Sequence, residues 1–184
     1  MLRVNYITPT LLNAWLFLMN GGDYADIEDF IKTLKREPKE QTEAQLKGIE
    51  FENECYNGEE ENYNQYIQGG HYQVKVKRYY KNIMICGIID VLQPNVIYDI
   101  KTTSTYKIGK YGKTSQHLIY PFCTGIKHFA YLVNKDCIKE DYYYKDGQAE
   151  ELIDSFLNWL DTTGLKEIWL EHWYKTDKEI KEQW

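Results

Sequence analysis

Asp90, Asp99 and Lys101 are the residues of this chain whose types and spacing suit catalysis. They lie in the run Gly87-Ile88-Ile89-Asp90-Val91-Leu92-Gln93-Pro94-Asn95-Val96-Ile97-Tyr98-Asp99-Ile100-Lys101-Thr102-Thr103, two apolar segments separated by a Pro-Asn turn. Side chains alternate faces in extended backbone, so Asp99 and Lys101 share a face. The short turn sets the two strands side by side and brings Asp90 towards Asp99. Two carboxylates and an ammonium at the edge of an apolar sheet are costly to bury without compensation. One resolution is an ordinary salt bridge between Lys101 and one or both aspartates. The other is a hard divalent cation between the carboxylates, since Mg²⁺ takes oxygen ligands and keeps several waters.

Further features favour the cation. Gly48-Ile49-Glu50-Phe51-Glu52 falls on a predicted helix ahead of the sheet, so Glu52 can bring another carboxylate. Gln116 and Tyr120 are spaced i, i+4 on the helix after the third strand and share a face. The stretch from Lys101 through Lys107, Lys110 and Lys113 contains no acidic residue and could hold phosphates beside a metal.

The elements that must position these groups follow from capping and periodicity. Thr8-Pro9 starts a helix over 9–19 that Gly21-Gly22 ends. Asp23 is a candidate cap for a second helix reaching Lys35, with Ile27, Phe30, Ile31 and Leu34 on one face. Charged residues 36–43 form a hinge, a third helix spans 42–56, and a short one spans 59–67 before Gly69-Gly70. The period then changes to two: strands are predicted over 72–80, 83–92 and 96–102, forming a meander with turns at Lys81-Asn82 and Pro94-Asn95. A polar loop covers 103–114, and Ser115 is placed to cap a helix to about Thr124. Strands over 129–133 and 142–144 and two C-terminal helices complete the pattern, with Trp169 and Trp173 assigned to the core. Helices, meander, helix, strand, helix reads as mixed α/β around one sheet.

The 184 residues are about one domain's worth, and 43% hydrophobic content excludes global disorder. The N-terminal apolar run is too short to span a bilayer and Asn13 interrupts it, so a soluble protein is expected. Cys55, Cys86, Cys123 and Cys137 are far apart with no CxxC, and they read as buried free thiols in a reducing cytoplasm. The formal net charge of −6 taken whole argues against phosphate binding. The distribution of charge along the chain argues the other way. Residues 1–70 carry six basic and thirteen acidic side chains, residues 71–135 ten and two, and residues 136–184 six and thirteen. A centre of net +8 therefore lies between two flanks of net −7, and its only carboxylates are Asp90 and Asp99. Such a centre is a local footprint for a polyanion.

In order along the chain, G-x-x-F-E ending at Glu52, G-I-I-D ending at Asp90, D-I-K-T-T from Asp99 and Q-x-x-x-Y from Gln116 resemble the RecB-type exonuclease branch of the PD-(D/E)XK nuclease superfamily. Ile7-Thr8-Pro9-Thr10-Leu11-Leu12-Asn13 resembles that branch's N-terminal helix start, and the likeness spans about residues 7–135. The resemblance implies a restriction-endonuclease-like core, an α/β mixed sheet flanked by helices. It implies a single nuclease domain over 1–184: N-terminal helices to 70, catalytic sheet and motif helix over 71–135, then a C-terminal strand and helices. Glu52, Asp90 and Asp99 would be ligands of one or two Mg²⁺ or Mn²⁺ ions, with the Ile100 carbonyl as a further one and Lys101 as the catalytic lysine. Gln116 and Tyr120 would orient the DNA strand, and Lys107, Lys110 and Lys113 would contact it. The cysteine arrangement of the cluster-bearing members is missing, so no iron–sulfur cluster is expected.

The activity so implied is metal-dependent hydrolysis of DNA phosphodiesters to 5′-phosphate and 3′-hydroxyl ends, by an exonuclease rather than an endonuclease. Size and family habit suggest phage or mobile-element recombination or repair in the host cytoplasm, beside a partner that binds or anneals single strands. Two other readings use the same fold: a catalytically silent nucleic-acid- or protein-binding module, and a structure-selective endonuclease such as a junction resolvase.

Overall fold

The computed structural model describes residues 3–21 and 24–184. β1 (Arg3–Ile7) leads into α1 (Pro9–Asn20), where Thr8 accepts the Leu11 N–H at 3.3 Å and Pro9 takes the first helical position. α2 (Ile27–Leu34) is capped by Asp26, which accepts the Glu28 N–H at 2.8 Å; the expected cap Asp23, like Gly22 of the Gly-Gly stop, lies outside the described residues. α3 (Glu43–Tyr56) opens with a reciprocal capping box between Thr42 and Gln45. α4 (Glu61–Ile67) follows, shorter by two residues than its pattern suggested.

β2 (His71–Tyr80) and β3 (Ile83–Leu92) form a hairpin. Its turn residues Lys81 and Asn82 have φ of 47° and 63°, the left-handed pair that a two-residue hairpin turn of type I′ requires. β4 (Ile97–Lys101) returns antiparallel to β3, and a loop with one 3₁₀ turn at Lys110–Lys113 leads to α5 (Gln116–Thr124). β5 (His128–Val133) runs parallel to β4, as a strand reached through a helical crossover can. β6 (Ile138–Tyr143), which begins earlier than expected, α6 (Gln148–Thr163), α7 (Lys166–His172), β7 (Tyr174–Thr176) and α8 (Asp177–Gln183) finish the chain. The result is a mixed α/β architecture around a seven-stranded sheet of order β6-β5-β4-β3-β1-β7, with β2 alongside β3. β1 and β7 were not foreseen. They are short, and they pair with residues more than 75 positions away or with each other across the whole chain.

β3 has three partner strands. β2 follows it along one edge from end to end, so β1 and β4 must share the other. β1 takes the start of that edge, at Met84 and Ile85, and β4 takes its end, at Val91 and Leu92. Among the described residues, Cys86 to Asp90 have no strand partner there. Side chains fill the gap. The Tyr120 hydroxyl of α5 donates to the Ile88 carbonyl at 2.7 Å, and the Asp90 carboxylate accepts the Ile100 N–H at 2.9 Å, where a regular ladder would use backbone.

The pleat also changes phase at this place. Residues two apart on a strand normally share a face. Yet Ile89 packs with Tyr120, Ile97 and Phe129 under α5, whereas Val91 packs with Phe51, Cys55 and Tyr63 of α3 and α4. The partner strand changes with it: Val74 lies with the α5 core, while Tyr72 stacks on Tyr56 of α3. A third core, around Leu11, Leu12, Trp15, Phe156, Leu160 and Trp169, joins α1, α6 and α7 to the sheet's other end.

Gly87 lies in the gap, and a methyl group there would come 2.7 Å from the buried Tyr120 ring and 3.2 Å from Pro9. Neither neighbour is the free end of a flexible chain. Gly87→Ala is accordingly expected to lower unfolding free energy by about 1–3 kcal/mol, read as a lowered urea midpoint at unchanged m-value.

Candidate active site

The opened ladder sets the geometry of the acidic pair. Register carried on from Val91↔Tyr98 puts Asp90 opposite Asp99, with the ladder parting between them. Asp99 is 1% exposed. Its Oδ1 accepts from Gln116 Nε2 at 2.8 Å. Its Oδ2 lies 2.5 Å from Lys101 Nζ in a buried ion pair. Lys101 is a quarter exposed.

Burial raises the pKa of Asp90 well above the usual carboxylate range; Asp99 and Glu52 add to the rise, Lys101 and the Ile100 N–H oppose it. Asp99 is raised by burial against the pull of Lys101. Glu52 is raised chiefly by burial, with Lys101 lowering it and Asp99 adding to the rise. For Lys101, burial alone would favour the neutral amine, but Asp99, Asp90 and Glu52 outweigh it and the ammonium is held above its ordinary pKa.

Alternation explains how the carboxylates are distributed. Along β4, Ile97 belongs to the core under α5 and Tyr98 and Ile100 to the core under α3, so Asp99 faces α5 and Gln116, while Lys101 at the strand's end lines a cleft against α3. Glu52 arrives from α3, on the other face. Among the described residues no group of three His, Cys, Asp or Glu side chains stands together as a metal-holding set. The donor chemistry nevertheless suits a hard cation: two neighbouring buried carboxylates, with Asp99 adding to the rise in Asp90's proton affinity. Glu52 and Lys101 share a cleft of about 400 Å³ with Gln41, Gln45, Gly48, Ile49, Ile100 and Thr102. A larger cleft of about 690 Å³ beyond α3 has Glu43, Glu50, Glu54 and Asp136 in its wall and neither Glu52 nor Lys101, so the smaller one is the relevant opening.

The remaining sequence candidates fall into two groups. Gln116 and Tyr120 both point inward, Gln116 to Asp99 and Tyr120, 5% exposed, to the Ile88 carbonyl. Lys107, Lys110 and Lys113 are exposed on the loop before α5. Lys110 is tied within the loop, donating to Thr103 Oγ1 at 2.5 Å and the Thr105 carbonyl at 2.9 Å, while Lys107 and Lys113 have no carboxylate partner among the described residues. Glu140 of β6 anchors that loop by accepting from the Gly109 N–H at 2.7 Å and from the hydroxyls of Tyr106 and Tyr142.

Asn13, which the sequence shows as an interruption of an apolar run and as the end of the N-terminal helix-start pattern, is a member of the site. Its Oδ1 accepts the Ser115 N–H at 2.7 Å, and its Nδ2 donates to Gln116 Oε1 at 3.4 Å. With that oxygen engaged, Gln116 presents its NH₂ to Asp99. Ser115 does not cap α5 with its side chain; its backbone is already helical and its hydroxyl lies 2.7 Å from Asn13 Oδ1 and 3.1 Å from the Pro9 carbonyl. A lone amide four residues after Pro9, on the buried side of an apolar helix, was the available signal.

A carboxyl whose pKa is raised by folding is preferred protonated by the fold. Its stabilising contribution is full below the unfolded-state pKa near 3.9 and is lost as pH rises through the folded value. Ionised Asp90 therefore opposes folding at neutral pH. Asp90→Asn, which keeps an oxygen for the Ile100 N–H, is expected to be more stable than the parent at pH 7, with the advantage shrinking on acidification. Thermal melts from pH 4 to 8 without divalent ions measure this, and a variant less stable at pH 7 would contradict it.

No protein-family model and no curated protein matches the chain. Its fold is similar to that of LHK-Exo, an alkaline exonuclease from Laribacter hongkongensis, at 15% identity and a TM-score of 0.57, covering 88% of this chain and 92% of that one. The same exonuclease in complex with dAMP matches at 14% identity and a TM-score of 0.57, covering 86% and 89%. SSO0001 matches at 15% identity and a TM-score of 0.51, covering 83% and 74%. At these identities the likeness establishes the fold.

Proposed function

We propose that this chain is a divalent-metal-dependent DNA nuclease of the RecB-type PD-(D/E)XK kind, hydrolysing phosphodiesters as an exonuclease. The observation that carries the reading is the Asp90–Asp99 pair buried at the opened ladder, with the Lys101 ammonium 2.5 Å from Asp99 Oδ2. The likeness in fold to an alkaline exonuclease solved with dAMP supports DNA as the substrate.

Asp90 and Asp99, with Glu52 from α3 and the Ile100 carbonyl, are the groups that would hold one or two Mg²⁺ or Mn²⁺ ions. A bound ion of this kind lowers the pKa of its water and offsets charge on the phosphate. Gln116 holds Asp99 Oδ1 and Lys101 pairs with Oδ2, which fixes the carboxylate in place beside Asp90. Lys101 stays protonated beside the aspartates and stabilises charge developing on the scissile phosphate. Lys107 and Lys113 take backbone phosphates outside the site, and the acidic flanks discourage DNA from lying elsewhere. The products are 5′-phosphate and 3′-hydroxyl ends. Size and family habit suggest a setting in phage or mobile-element recombination, with a strand-binding or annealing protein as partner.

The test offers linear duplex, single-stranded, circular and branched DNA with Mg²⁺, Mn²⁺ or EDTA. Linear DNA is expected to be degraded with either metal and spared in EDTA. Asp99→Ala and Lys101→Ala are each expected to lose about 10²–10³-fold or more in rate. Equal cleavage by the parent and both variants would overturn the site. No cleavage of any substrate, with DNA still bound, would favour the silent binding module.

A further inference from the structure

Across the β2–β3 ladder, the bracketing pairs Tyr72↔Val91 and Val74↔Ile89 place Gln73 opposite Asp90. Gln73 has a φ of 51°, left-handed backbone that a glutamine keeps only where its surroundings impose it. What that conformation achieves is visible on α3. Gln73 Nε2 donates to Tyr56 Oη at 2.8 Å. Tyr72 lies stacked on the Tyr56 ring, with centroids 4.9 Å apart and planes at 26°, and its own hydroxyl donates to the Ile67 carbonyl at 3.2 Å. Consecutive strand residues ordinarily point to opposite faces. Here both hold one side chain, and they do so at the break where the pleat changes phase.

Tyr56 stands one helical turn beyond Glu52, so the two share a face of α3. A phenol has one proton to give and lone pairs to accept with. Gln73 uses an acceptor position, and among the described residues nothing accepts the Tyr56 proton. The charged groups that act on this hydroxyl are Asp90, then Glu52 and Asp99. It therefore reaches the acidic site as a neutral donor with its proton unspent. A neutral donor suits that place. A second lysine would compete with a cation for the carboxylates, whereas a phenol can bind a phosphate oxygen without doing so.

We propose that Tyr56 is a substrate-binding residue. Its hydroxyl donates a hydrogen bond to a non-bridging oxygen of a phosphodiester held beside Asp90 and Asp99, and Gln73 and Tyr72 are positioning residues that aim it. This rests on the phosphodiester reading of the site.

Tyr56→Phe keeps the stacked ring and removes the hydroxyl alone. On linear DNA with Mg²⁺ or Mn²⁺ it is expected to lose about 10- to 100-fold in kcat/KM at unchanged Tm. Gln73→Gly, which suits left-handed backbone, is expected to lose less in the parent and nothing further in a Tyr56→Phe background, because Gln73 acts through that hydroxyl. A fully active Tyr56→Phe, or additive losses in the double variant, overturns the proposal. If the parent cleaves, Asp99→Ala does not and Tyr56→Phe is unimpaired, only this inference falls. If the parent neither cleaves nor binds DNA, the phosphodiester reading falls with it.

Discussion

A β-strand edge cannot be left unpaired inside a protein without something to satisfy its amides and carbonyls. β3 meets that constraint in an unusual way: one edge is divided between β1 and β4, and the interval from Cys86 to Asp90 belongs to neither. Asp90 substitutes its carboxylate for a backbone acceptor opposite Ile100, and Tyr120 reaches the Ile88 carbonyl from above. The parting of the strands is what admits two aspartates, an ammonium and a glutamine amide between sheet and helix. A closed ladder would place Asp90 and Asp99 as direct neighbours with no room for anything to relieve them.

Much of the surrounding structure serves to keep that gap open at a fixed width. Gly87 lets the Tyr120 ring and Pro9 approach β3, and Ser115 and Asn13 lock the start of α5 to α1. The lock also decides which end of the Gln116 amide meets Asp99. These contacts are apolar or fully hydrogen-bonded, whereas the acidic pair they surround has raised proton affinity. The fold thus stabilises itself around a site that opposes it, a division expected where function requires concentrated charge.

The local part of this was legible in the sequence. The alternation and turns gave β3 its bounds, Ile83–Leu92, and Thr8 and Pro9 marked a helix start through chemistry that depends on a few adjacent residues. The spacing of Asp90, Asp99 and Lys101 around Pro94-Asn95 placed them on neighbouring strands. What escaped notice depends on distant partners. β1 and β7 are too short to show a period and exist because of pairing across the chain. The change of pleat at Gln73 and Asp90 leaves no trace in a pattern that assumes constant alternation. Asn13 looks like a blemish in an apolar helix until Ser115 is seen beside it, 102 residues on.

The central claim is that the opened ladder between β3 and β4 is a cation site built on Asp90 and Asp99. Its most direct test is a crystal grown with Mn²⁺, with anomalous diffraction recorded at the manganese edge. The account predicts an anomalous peak between the two aspartate carboxylates, lost in Asp99→Ala crystals. A map with no peak there, at Mn²⁺ concentrations that support DNA cleavage, would contradict it.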